Sequence, residues 1–106
     1  ASHVGLVFHA EQVQFLPDAM EYSRAGHLPG GIKRIRDFLT DCVELADGIP
    51  DEVKNLLYDP QTSGGLLLSV APHAAAQILP ALREQDIPAQ DIGEVVEKTH
   101  PLIRVL

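Results

Sequence analysis

A chain of 106 residues, 45% of them hydrophobic, has the material for one domain with one modest core and is not the composition of a disordered segment. Fifteen acidic residues against eight basic ones leave a formal charge of −7, which disfavours a nucleic-acid backbone as partner. The apolar runs are too short to span a bilayer, and the single cysteine, Cys42, leaves no internal disulfide, so a reducing, cytoplasmic setting is expected and a membrane partner is not.

Val4, Leu6 and Phe8 alternate with Gly5 and Val7, predicting a first strand over 4–8. Phe15, Leu16, Ala19, Met20 and Tyr22 follow at helical spacing over 15–25, and Gly26 is the residue type that ends such a helix. Leu28-Pro29-Gly30-Gly31 is a turn. Beyond it Ile32, Ile35, Phe38, Leu39 and Cys42 recur every three or four residues, which predicts an amphipathic helix with Lys33, Arg34 and Arg36 on its solvent side. Gly48-Ile49-Pro50 breaks that element. Pro50 suits the start of a short helix, with Asp51 and Glu52 beside its positive end and Val53, Leu56 and Leu57 on its buried side. The polar turn Asp59 to Gly65 then enters an apolar run, Leu66 to Val70, expected to be a buried strand. Pro72 opens another helix with Ala75, Ile78, Leu79 and Leu82 on one face, and Pro80 inside it is expected to kink it. Ile92 to Val96 and Leu102 to Leu106 read as two closing strands joined by Lys98-Thr99-His100-Pro101. Helices and strands in this order predict an α/β or α+β layered domain with a mixed sheet of about four strands.

Chemistry concentrates in two glycine-bearing turns. Thr62-Ser63-Gly64-Gly65 offers backbone amides unobstructed by side chains, plus two hydroxyls, a combination suited to cradling a phosphate. It lacks the lysine and the following helix of a nucleotide P-loop, and a tight structural turn capped by Asp59 and Thr62 uses the same residues. Pro29-Gly30-Gly31, followed by Lys33 and Arg34, is a second candidate anion site, and also reads as a helix entry with a solvated basic face. The two loops are free to converge in space. His3, His9, His27, His73 and His100 have no partner at ligand spacing, so no metal site is expected. Cys42 lies on an apolar stripe and reads as a small core residue. The acidic pairs Asp18 with Glu21 and Asp51 with Glu52 are accounted for by helix starts. No catalytic residue and no reaction follow from these residues alone.

The run Asp59-Pro60-Gln61-Thr62-Ser63-Gly64-Gly65-Leu66-Leu67 closely resembles a signature near the C-terminus of the selenophosphate synthetase (selenide, water dikinase) family. In the same order, Leu16-Pro17 through Ala25-Gly26 resembles that family's helix leading into a Pro-Gly-Gly turn, here Pro29-Gly30-Gly31. Ile92-Gly93-Glu94-Val95-Val96 resembles its penultimate strand and Ile103-Arg104-Val105 its last, so the likeness runs from about residue 12 to the end. The resemblance implies a single domain over 1–106, the C-terminal domain of a larger two-domain enzyme. Its fold would be the layered α/β/α type of the aminoimidazole ribonucleotide synthetase superfamily, partly ferredoxin-like. The whole enzyme would make selenophosphate from selenide, ATP and water, releasing AMP and phosphate, with magnesium. The implied partner is an N-terminal ATP-binding domain of the same chain, in a homodimer when intact.

Two departures bear on this. Ile32 and Ile35 stand where the family carries Thr and Asn after the Pro-Gly-Gly turn, while Arg34 is kept. The family's reactive Cys or selenocysteine, its lysine, its metal-binding aspartates and its junction motif have no counterpart here, and Cys42 does not inherit the role. The fragment is therefore expected to be inactive alone and to hold no cofactor itself. Thr62, Ser63, Gly64 and Gly65 are the candidate phosphate contacts, with Gly30, Gly31 and Arg34 secondary. The alternative is a stand-alone interaction or phosphate-binding module of the same fold, in which Ile32 and Ile35 would form an exposed apolar patch.

Overall fold

The computed structural model describes residues 3–106. Strand β1, Val4–Phe8, is followed by a 3-10 turn at Ala10–Gln12, then by helices α1, Ala19–Arg24, and α2, Gly31–Leu39. Next come strand β2, Val43–Leu45, helices α3, Asp51–Leu57, and α4, Pro72–Glu84, and strands β3, Gly93–Glu97, and β4, Ile103–Val105. The four strands form one mixed sheet in the order β2-β4-β1-β3. The expected α/β class with a mixed sheet is what forms. No helix among the described residues is long and apolar enough to cross a membrane.

β1 is central because it is apolar on both sides of the pleat. It pairs antiparallel with β3, Leu6 opposite Val95, and parallel with β4, Phe8 opposite Val105. β4 in turn pairs parallel with β2, Leu45 opposite Val105. One row of the pleat therefore carries Leu45, Val105 and Phe8, and the row below carries Val43, Ile103 and Leu6. Most of these line the core, where Ala10, Ile49 and Val105 are buried and Phe8, Val43, Leu45, Val53, Leu57 and Ile103 pack around them. β3 approaches β1 closely: a Cβ at Gly93 would overlap the Val7 carbonyl oxygen, so only glycine fits there.

Helix α1 ends as its glycine predicted. Gly26 sits at φ 83, the His27 amide donates to the Tyr22 carbonyl at 2.9 Å, and the Gly26 amide donates to Ser23 at 3.0 Å, the pair of bonds of a Schellman cap. The helix begins only at Ala19, because Leu16 precedes Pro17 and is steered out of the helical region. α1 packs against α3. Buried Ser23 donates its hydroxyl to the Glu52 carbonyl at 2.9 Å, and Arg24 reaches the Glu52 carboxylate at 2.7 Å.

Three expectations are corrected. Helix α2 stops at Leu39 instead of running to Cys42, with the Cys42 amide turned back to the Leu39 carbonyl at 2.8 Å. Val43–Leu45 then forms a strand that the periodicity does not reveal, since three residues are too short to show one. Phe38, expected on the buried stripe, is 85% exposed. Largest of all, Leu66 to Val70 is not a strand: it makes no backbone hydrogen bonds among the described residues and its apolar residues are exposed, Leu66 at 91%. The fourth strand of the sheet is β2 instead. Sequence hydrophobicity says that such a run avoids water, without saying which surface covers it.

Helix α4 starts at Pro72 and continues through Pro80 to Glu84. Ala75, Ile78, Leu79 and Leu82 are half-buried, and α4 makes no extensive packing with any other element. It closes with a second Schellman cap in which Asp86, at φ 55, occupies the left-handed position and the Ile87 amide donates to Leu82 at 3.0 Å.

Candidate phosphate-binding loops

The two glycine-bearing turns meet through Pro60. After α3, Tyr58 is buried and the Asp59 amide still bonds back to the Leu56 carbonyl, which carries the chain out beside the start of α2. A Cβ on Gly31 would lie 3.1 Å from the Pro60 ring, so glycine lets the two turns abut. The convergence expected from the sequence is thus real at Pro60 and Gly31. It does not extend to the tip of the loop.

Thr62, Ser63, Gly64 and Gly65 are exposed, and their backbone and hydroxyls make no hydrogen bonds among the described residues. Neither Gly64 nor Gly65 has a positive φ, so the loop is not preshaped as an alternating right- and left-handed anion nest. A Cβ at Gly65 would meet nothing within 4 Å. Asp59 and Thr62 side chains do not cap the turn. What the loop offers is a run of accessible amides and two hydroxyls, free to be organised by a ligand or a neighbouring surface.

The second turn is the start of α2. Gly30 occupies the N-cap without a side-chain cap; the Ile32 amide turns back to the Pro29 carbonyl at 3.2 Å, while the Gly31 and Lys33 amides have no partner among the described residues at the positive end of the helix. Beside it lies a shallow groove of about 270 Å³, lined by Pro29, Gly30, Ile32, Lys33, Arg36 and Asn55. Arg36 donates to Asn55 Oδ1 at 3.1 Å, and its guanidinium stands 5.5 Å from the centre of the Tyr58 ring. Lys33 pairs with Asp37 at 2.6 Å. Arg34 does not line the groove and has no ion pair among the described residues. Sequence reasoning picked out the basic cluster but not Asn55 or Tyr58, which enter because Arg36 of α2 reaches the C-terminal end of α3.

Ionisation follows from the same contacts. The Arg24 guanidinium, hydrogen-bonded to Glu52, holds that carboxyl below the usual range, with help from a backbone amide. Burial pushes the Tyr58 phenol up, and nearby Arg36 opposes it. Both groups serve packing between helices. No three His, Cys, Asp or Glu side chains converge among the described residues, so the donor set does not fit a magnesium ion and no step is assigned to one here.

Residues 1–105 match the family model of the AIR synthase related protein, C-terminal domain. The chain is 41% identical over 99% of its length to a selenide, water dikinase from Pelobacter propionicus, of which it covers 30%. It is 35% identical over its full length to the selenide, water dikinase of Clostridioides difficile, covering 31% of that protein. With the selenide, water dikinase of Escherichia coli K12 it shares 41% identity over 81% of its own length and 24% of the other's. The chain thus spans about 30% of the length of the first two of these relatives. With nearly every residue matched and an α/β fold around a mixed sheet, the chain belongs to the AIR synthase related protein, C-terminal domain family.

Proposed function

We propose that this chain is the C-terminal domain of a selenide, water dikinase, the enzyme that makes selenophosphate from selenide, ATP and water and releases AMP and phosphate. The observation that carries this reading is the Asp59 to Leu67 signature, within a chain 41% identical over 99% of its length to a protein of that name. Its partner is an N-terminal ATP-binding domain of the same polypeptide, which holds ATP, magnesium and the reactive Cys or selenocysteine, in a cytoplasmic homodimer. The domain is inactive alone.

Thr62, Ser63, Gly64 and Gly65 contribute binding. Their amides and hydroxyls donate to phosphate oxygens when the cleft closes, stabilising negative charge without moving a proton. Gly30 and Gly31 add first-turn amides, and Arg34 supplies an exposed cation. No residue of this chain acts as acid, base or nucleophile. Support for an architectural partner over an independent interaction module comes from Ile32: it is 6% exposed, so it does not contribute to an open apolar patch, and Ile35 is half-buried.

The size of the native polypeptide, measured by immunoblot, tests the reading first. A band several times larger than 11.5 kDa is expected, and the intact protein then consumes ATP in a selenide-dependent way. Gly64→Val in that protein raises the KM for ATP or lowers kcat. A native band near 11.5 kDa overturns the enzyme reading.

A further inference from the structure

The three cations of α2 are used in three different ways. Lys33 pairs with Asp37, and Arg34 has no ion pair among the described residues. Arg36 has no carboxylate partner among them either, yet its side chain is engaged. Its Nη2 donates to Asn55 Oδ1 at 3.1 Å, and its guanidinium stands 5.5 Å from the centre of the buried Tyr58 ring. Both contacts fall at the C-terminal end of α3, where unpaired helix carbonyls leave partial negative charge and a cation is favoured.

That end of α3 is the root of the Thr62–Gly65 loop. The Asp59 amide donates back to the Leu56 carbonyl at 3.2 Å, and the Gln61 amide to the Asp59 carbonyl at 2.9 Å. Between them Pro60, whose ring fixes its own φ, abuts Gly31 of the helix that carries Arg36. Gln61 then folds its side chain over the loop, so that a Cβ on Gly64 would lie 2.5 Å from Gln61 Oε1. Helix α2 therefore holds the root at two points, and the root touches the tip. Thr62 to Gly65 make no hydrogen bonds of their own among the described residues, so their place is set from the root.

We propose that Arg36 is a positioning residue for this loop: by holding Asn55 and Tyr58 to α2, it sets where the Thr62–Gly65 amides and hydroxyls stand when phosphate arrives. This rests on the reading of the loop as a binding element of the intact enzyme. Arg36 itself does not touch the ligand. Its planar fork is what the place requires, because it meets an aromatic ring and donates to a side-chain amide at once; an ammonium group has no such plane.

The test uses the complete polypeptide with ATP and selenide. Arg36→Ala is expected to lower kcat/KM for ATP about 10-fold, in the same parameter, KM or kcat, that Gly64→Val moves. Because both act through one loop, the double variant is expected to lose no more than the more damaging single one. Arg36→Lys, which keeps the charge, recovers only part of the loss. Amide exchange without substrate gives a second readout: in Arg36→Ala it quickens about 10-fold at Asp59 and Gln61 and is unchanged in β1. Losses that multiply in the double variant, full recovery by Arg36→Lys, or unchanged exchange at Asp59 and Gln61 each overturn the positioning role; the first two make Arg36 a direct charge contact instead. If Gly64→Val is silent, the loop is not a binding element and the positioning role falls with it. If Gly64→Val impairs the enzyme and Arg36→Ala does not, only the positioning role fails.

Discussion

The molecule has two regions held in different ways. In the part built from residues up to Tyr58 together with the C-terminal strand β4, the strands β1, β2 and β4 share an apolar row with Ile49 and α3, and side-chain bonds from Ser23 and Arg24 pin α1 to α3. From Gln61 to Glu84 there is no buried residue, and α4 packs extensively on nothing. The later region is the richer of the two in leucine and alanine, so apolar content is not what builds a core. What separates them is whether a second surface is present to receive the apolar side. A core forms where two elements meet, and the later region has only its own half.

The sharpest way to break this comparison is to cut equivalent side chains on both sides. Ile49→Ala is expected to destabilise the chain by about 2–5 kcal/mol, because Ile49 is 7% exposed and its loss leaves a cavity. Leu66→Ala, at a residue 91% exposed, is expected to change stability by about 0.5 kcal/mol or less. Urea unfolding of the two variants measures both, and equal losses would erase the distinction. Glycines give the next contrast. Gly93→Val drives a side chain into the Val7 carbonyl and should cost roughly 1–3 kcal/mol, whereas Gly65→Ala enters open space and should be nearly silent in the same assay.

A smaller effect of opposite sign belongs to the later region. Asp86→Gly relieves a left-handed residue in the α4 cap and should stabilise by roughly 1 kcal/mol, read as a raised unfolding midpoint. The smallest effect is a pH dependence in the earlier region. Glu52 has its folded pKa lowered by Arg24, so the stability from that pair is present above the unfolded carboxylate pKa and is lost as pH falls through the folded one. Arg24→Ala should therefore melt slightly lower than the parent at neutral pH, with the gap closing in acid. Added salt should narrow the neutral-pH gap too, because the arginine side chain is 63% exposed.

Legibility in the sequence tracked how local each determinant was. Gly26 ends α1, Pro72 opens α4, and Val4 to Phe8 is a strand, all as local geometry and alternation require. Ile32, Val53 and Leu57 were readable as inward positions from helical spacing. Phe38 was not, because periodicity gives a face but not its width, and α2 buries only a narrow stripe. The candidate loop was visible as a motif, and its contact with Gly31 through Pro60 was anticipated only as convergence. Asn55 joined the groove without any motif of its own, and Tyr58 came beside it, because Arg36 of α2 reaches both at the end of α3.

By itself, the sequence determined the element types at strong local signals, the acidic surface, the two glycine-bearing turns and the family. Backbone dihedral preferences and side-chain period act within a few residues, so they can be read along the chain. Tertiary structure alone decided that Val43–Leu45 is a strand, that β4 inserts between β2 and β1, and that Leu66–Val70 remains outside the sheet. Strand pairing joins residues far apart in sequence and depends on which edge is available, which no local preference specifies.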